Sequence, residues 1–262
     1  MKNKINKRKK AIYTTLAVVF WLVLWQIAAM IYGMDFILPS PLKTFTVLLE
    51  NIVRSEFWKS VLFSVTRILW GFLLSATLGV LLALVSIKLK VIRILFDPFC
   101  SVMRAVPVAS FIIFVLILFS SEKVSTVVAF LMGFPLVYST VSGGIDSAPE
   151  KLLEASDLFA LGFFAKLKYI YFPHLLPHIT SALAVSVGLC FKSGIAAEVI
   201  GYPVGSVGAQ MYIAKLGMNM PTLLSYTVVI VLISALCEKL IAFLCRLPIK
   251  LREGIIKKRN EK

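Results

Sequence analysis

The sequence predicts an all-α integral membrane protein with six transmembrane helices, on three observations. Apolar residues make up 59% of the 262-residue chain and charged residues 16%, with a mean hydropathy of +0.91. A soluble domain has roughly 45–50% apolar and about 25% charged residues. The apolar residues gather in six runs of about the 20 residues that cross a bilayer. The basic residues, 28 Lys or Arg against 13 Asp or Glu, concentrate beside those runs. That is the signature of membrane topology and of contact with anionic lipid, not of nucleic-acid binding.

Residues 1–10 form a basic N-terminus, MKNKINKRKK, leading into the first run at 11–33. This run is longer than the apolar region of a signal peptide and has no small-residue cleavage site, so it reads as an uncleaved first helix. The others follow at 60–87, 94–120 (interrupted at Arg104 and Pro107), 124–145, 175–201 and 221–245, with a basic tail over 248–262. In the second run, Gly71, Ser75, Gly79 and Ala83 recur at helix-contact spacing. Small residues there let helices approach closely where no hydrophobic drive exists between them.

Charge sets the expected orientation. Six Lys or Arg lie in the first ten residues, three in SIKLKVIR, and seven in RLPIKLREGIIKKRNEK. The alternate segments are poorer: three in the 26 residues MDFILPSPLKTFTVLLENIVRSEFWK and one in SSEKVS. Both termini are therefore expected in the cytoplasm, and with them residues 146–175.

That segment contains EASDLFALGFFAKLKYIYFP, Glu154 to Pro173, which is apolar enough to pass for a seventh span. Glu154, Asp157, Lys166 and Lys168 argue against it, since a central Asp or Lys costs roughly 2.5–3.5 kcal/mol to insert. The segment 149–173 reads instead as an amphipathic helical hairpin. Pro149 suits a first helical turn and Glu150, Glu154 and Asp157 suit its N-terminal half. Gly162 is where the backbone is expected to break. Such a hairpin fits a docking element for a cytosolic partner, or a membrane-surface hairpin with none.

Catalytic chemistry is absent from the pattern. There is no GxxxxGK[ST] phosphate loop, GxSxG, HExxH or calcium-loop motif, so no catalytic or metal residues are assigned. His174 and His178 are spaced i,i+4, but Pro177 intervenes and no Cys or carboxylate gathers with them; they read as interfacial residues. Cys100, Cys190, Cys237 and Cys245 lack paired spacing and read as small apolar residues.

Within the membrane, Lys192 and Glu198 share the fifth run but point about 240° apart, so neither is the other's same-face partner. Each needs a partner on another helix, in a second copy, or in a wet cavity. Lys192 either attracts an anionic substrate or belongs to a structural ion pair. Arg104, beside Pro107, either lines a path or snorkels to an interface, and Arg67 reads as a surface anchor. Gly201, Pro203, Gly205 and Gly208 mark non-helical backbone. The segment 202–220 is either an outer gate or a plain loop.

The hairpin resembles the EAA motif of the permease subunits of bacterial ABC importers. Glu154, Ala155 and Ser156 stand at the EAA positions, Ala160 at the glycine position, and Ile170, Phe172 and Pro173 at the closing I-x-L-P, with no gap. LPSP (38–41), SVTRILWGF (64–72), MRAVPVA (103–109), FPLVYSTVSG (134–143), KSGIAAEVIG (192–201) and GSVG (205–208) are similar, in order, to the nitrate/sulfonate/taurine branch. The chain departs from that branch after Ala109, where SFIIFVLILFSSEKVS replaces a usual Pro and a later Phe-Gly.

The resemblance implies a type I ABC-importer permease with both termini inside a bacterial plasma membrane. It implies a homodimer, two cytosolic ATPases that bind ATP and Mg, and an extracytoplasmic solute-binding protein or lipoprotein, with no cofactor in this chain. Glu154, Ala155, Ser156, Asp157, Ala160, Gly162, Ile170 and Pro173 would couple to the ATPases. Arg104, Pro107, Lys192, Glu198, Gly205 and Gly208 would line the path or its gate. The solute could be a sulfonate, nitrate or a vitamin precursor. A secondary transporter or channel without an ATPase is the alternative, although no internal repeat is evident.

Overall fold

Helices are the only regular structure among the described residues, 7–260, of this computed structural model. Most of the basic N-terminus, and the side chains of the tail 248–262, lie outside the described residues. Five helices are long and apolar enough to cross a membrane, or six if one bent pair counts as a single span. Contacts divide the chain into two units, residues 1–60 with 210–229, and residues 61–209 with 230–262.

In the first unit, α1 (Lys7–Tyr32) ends at Gly33, whose φ of +63° turns the chain. The segment 34–59, expected to be a loop, contains a helix, α2 (Pro41–Val53). Its start is encoded locally. Pro41 fits the first turn, where a missing N–H costs nothing, and the Ser40 hydroxyl accepts the Lys43 N–H at 3.2 Å. Thr44, Leu48 and Asn51, spaced i, i+4, i+7, are its buried face. Asn51 Nδ2 donates to Ser225 Oγ at 2.9 Å, and the rings of Phe57 and Tyr226 lie 4.7 Å apart.

The second unit is built on α6 (Val124–Asp146) and α9 (Phe172–Gly201), which pack along much of their lengths. The small residues of α3 (Ser55–Ser86) bring it against α6. A Cβ added at Gly71 would lie 2.4 Å from the Thr126 carbonyl oxygen, and one at Gly79 would lie 2.9 Å from Val137. Ser75 and Ala83 on the same stripe are fully buried. Two apolar clusters fill the space, one around Phe134, Tyr138, Val141 and Leu175, the other around Ile112, Val115, Val128 and Ala197. At van der Waals distance such packing supplies the helix association that lipid cannot.

Three stretches differ in layout from the expected runs. The run 94–120 is sharply bent: α4 (Lys90–Ala105) and α5 (Val108–Leu118) diverge by 110°, as in a broken span or a re-entrant loop. Pro107 forces Val106 into extended backbone, φ −71° and ψ 132°, as residues before proline prefer. The run 175–201 begins earlier, because α8 (Phe163–Lys166) and a π-helical turn, Leu167–Tyr171, continue into α9 without a break. Pro173, which has no N–H to give, lies directly after the π-helical turn within this continuous helical run. Finally, 202–220 contains α10 (Val207–Leu216), and α11 (Met220–Asn260) runs on to the end of the described chain.

Candidate functional site

Two ends of the α9 helical rod carry the residues singled out by the sequence. At the N-terminal end, α7 (Glu150–Leu158) folds back on α8 through a tight turn. The Leu161 N–H donates to the Ser156 carbonyl at 2.9 Å and the Ala160 N–H to the Asp157 carbonyl at 2.9 Å. This is a Schellman-type cap, which requires one residue in left-handed backbone. Ala160 supplies it, with φ +50°. The turn therefore sits at the glycine position of the motif, and the break expected at Gly162 is corrected. Gly162 has an ordinary φ of −63° and starts α8, with open space where a Cβ would be.

The remaining motif residues divide by exposure. Ser156 is buried, its hydroxyl donating to the Leu153 carbonyl at 2.6 Å, so a small side chain is what this position needs. Glu154 and Asp157 are exposed, and Asp157 pairs with Lys166 across the hairpin. Ala155 and Ile170 are half-buried. The tip is apolar and uncovered: Leu158 is 87% exposed, Phe159 80% and Phe164 82%. A greasy tip beside two carboxyl groups is a ready docking surface.

At the other end, α9 stops at Tyr202, which has φ +50°, and the chain passes Gly205 (φ +81°) into α10. Glu198 is completely buried there. Its Oε2 accepts the Ser64 hydroxyl at 2.6 Å and the Gly208 N–H at 3.2 Å. Ser64 Oγ in turn accepts the Val207 N–H at 2.9 Å, and Ser206 Oγ accepts the Ala209 N–H at 3.0 Å. The first three N–H groups of α10, orphaned as at any helix start, thus each meet a side-chain oxygen. Gly208 permits the approach, since a Cβ there would lie 2.3 Å from the Glu198 Cβ. The Ser125 hydroxyl, also buried, lies beside the same carboxyl group as a further donor to it.

The expected path residues are not all joined. Glu198 and Gly208 meet, whereas Lys192 is exposed on a face of α9 shared with Ser181 and Val185. Among the described residues Lys192 makes no ion pair. Arg104 is exposed, its Nε donating to the Cys100 carbonyl at 3.2 Å, and Pro107 marks the bend between α4 and α5. Arg67 is not a plain surface anchor. It donates to the Glu122 carbonyl at 2.8 Å and covers the Phe63 ring at 3.4 Å. Ser64 and Ser125 went unremarked from sequence, because nothing local distinguishes a serine that meets a carboxyl 134 residues away.

With this geometry in hand, the family model of the inner-membrane component of binding-protein-dependent transport systems matches residues 75–247. The chain belongs to this permease family. An aliphatic sulfonates transport permease of Bacillus subtilis is 24% identical over 220 residues, covering 83% of this chain and 79% of that protein. A nitrate import permease of Synechocystis is 26% identical over 215 residues, covering 78% and 76%. The taurine transport permease of Escherichia coli is 23% identical over 206 residues, covering 74% of each. Inward-facing structures of the MetNI methionine ABC transporter share the fold, with TM-score 0.53 and 16% identity over 76% of this permease and 96% of that chain. The permease is therefore a multi-pass inner-membrane transport component and a non-catalytic member of its complex, and the relatives it resembles are those of the nitrate/sulfonate/taurine branch.

Proposed function

We propose that two copies of this permease form the path of an ATP-driven importer for a small anion, with the α7–α8 hairpin in the cytoplasm as the contact for an ATPase. The observation that carries the reading is the hairpin itself. It is stiffened by a Schellman cap and the Asp157–Lys166 pair, and it ends in the exposed tip of Leu158, Phe159 and Phe164. A stiff element with an apolar, acid-edged end transmits a push as a rigid body. Both termini lie on the hairpin's side of the membrane in this reading, and an extracytoplasmic binding protein delivers the solute to the Tyr202–Gly208 side. ATP and Mg belong to the partner ATPase.

Lys192 supports the anion. A lysine in mid-span needs water, a counter-charge or a substrate, and its face is open: Ser181 is exposed and a Cβ at Gly188 would meet nothing within 4 Å. The relatives named above carry sulfonates, nitrate and taurine. Glu154→Lys should leave the permease inserted but abolish uptake; unchanged uptake with normal ATPase co-purification would sink the coupling role. Lys192→Ala should impair uptake more than assembly, and wild-type uptake would contradict the anion role.

A further inference from the structure

Helix α4 carries Lys90, Arg93, Asp97, Ser101 and Arg104 within a chain built for lipid. At about 100° per residue, these five fall within an arc of about 80°. Val91, Leu95 and Val102 are exposed on a second arc, centred about 140° away. Cys100 and Met103 form the buried third face. The stripe also reaches membrane depth, because α4 climbs antiparallel along the spanning helix α6. Arg93 pairs with Asp146 at the end of α6, and the Tyr138 hydroxyl donates to Asp97 Oδ1 at 3.0 Å. Further in, the rings of Phe99 and Phe134 lie 6.4 Å apart. Tyr138 is eight residues before Asp146, so Asp97 sits roughly 12 Å inside that end. A helix lying flat on the surface would not advance along a spanning neighbour in this way.

Asp97, Ser101 and Arg104 are exposed, and neither charge makes an ion pair among the described residues. Ionisable side chains at such depth face a bundle interior or water, whereas an apolar arc can face lipid. We propose that the Asp97–Arg104 stripe of α4 is a wall of an aqueous path and that Asp97 sets the charge selectivity of that wall. Arg104, about 10 Å further along the helix, draws an anion in. Asp97 tempers that attraction on the hairpin's side, and the Tyr138 hydroxyl fixes one of its oxygens in place. That this water belongs to the solute's route rests on the transport reading above. The wetness and the charge of the face do not, and the test below needs neither ATPase nor solute.

The test is thiol labelling of the full-length permease in leaky membrane vesicles, with Cys237 and Cys245 replaced by Ser and that parent as the blank. The probes are two methanethiosulfonates of opposite charge, the anionic sulfonatoethyl and the cationic trimethylammonioethyl reagents. Ser101→Cys on the polar stripe should react with both, at least about tenfold faster than Val102→Cys on the apolar arc. Adding Asp97→Asn, which keeps an oxygen for the Tyr138 hydroxyl, should raise the anionic-to-cationic rate ratio at 101 by about tenfold. Asp97→Glu should leave that ratio near the parent's, and Arg104→Gln should lower it. The ratio cancels any change in thiol ionisation, which moves both rates alike, and a merely structural aspartate would not shift it. Equal rates at 101 and 102 overturn the wall. So does a silent 101 that an oxidant links to its counterpart, since a second copy then covers this face. A ratio unmoved by Asp97→Asn overturns the selectivity role even where the wall stands.

Discussion

The two ends of the α9 rod solve one problem in opposite ways. Each reverses the chain through a non-glycine residue in left-handed backbone, Ala160 at one end and Tyr202 at the other, both with φ of 50°. At Ala160 the turn is exposed and its capping hydrogen bonds run from backbone to backbone. At Tyr202 the following segment re-enters buried surroundings, where no water can serve the orphaned N–H groups. Side chains from α3 and α9 must serve them instead. The exposed turn is local and stiff, so it suits a lever. The buried one depends on side chains distant in the chain, so it suits a gate.

This contrast ranks the substitutions that would break or sharpen it, read as thermal unfolding of the purified permease. Gly208→Ala should be the most damaging, by about 3 kcal/mol, because its Cβ would meet Glu198 backbone at 2.5 Å and backbone cannot step aside. Ser64→Ala leaves both the Glu198 carboxyl and the Val207 N–H short of a bond and should cost about 2 kcal/mol. At the exposed end the sign reverses. Ala160→Gly removes the penalty of left-handed backbone and should stabilise by about 1 kcal/mol, visible also as slower proteolysis at the hairpin. Gly162→Ala, in open space with a negative φ, should shift stability by no more than about 1 kcal/mol, in the stabilising direction. Equal losses at both ends would erase the distinction between lever and gate.

What could be read in the sequence follows from the range of the forces involved. Hydropathy is local, so the membrane class and the apolar runs were legible, as were the Gly71–Ala83 stripe and the hairpin with its EAA spacing. Amphipathic helices outside the runs were not. The α2 face has Thr44 and Asn51 in place of apolar residues, and α10 follows glycines that suggest a loop. The turn at Ala160 was misplaced to Gly162 because alanine avoids positive φ, and only the surrounding hydrogen bonds impose it. The Glu198 cluster joins residues far apart in the chain, Ser64, Ser125 and Gly208, and no periodicity announces such a meeting.

The central claim is that the Leu158–Phe164 tip is the coupling surface, and co-purification of an ABC ATPase co-expressed with this permease tests it most directly. Phe159 is 80% exposed and outside both apolar cores, so Phe159→Asp should leave the permease folded and inserted. The account predicts that this variant loses the ATPase while Val204→Asp, exposed at the opposite end of α9, retains it. Full retention by Phe159→Asp, at wild-type stoichiometry and with ATP-driven uptake intact, would contradict it.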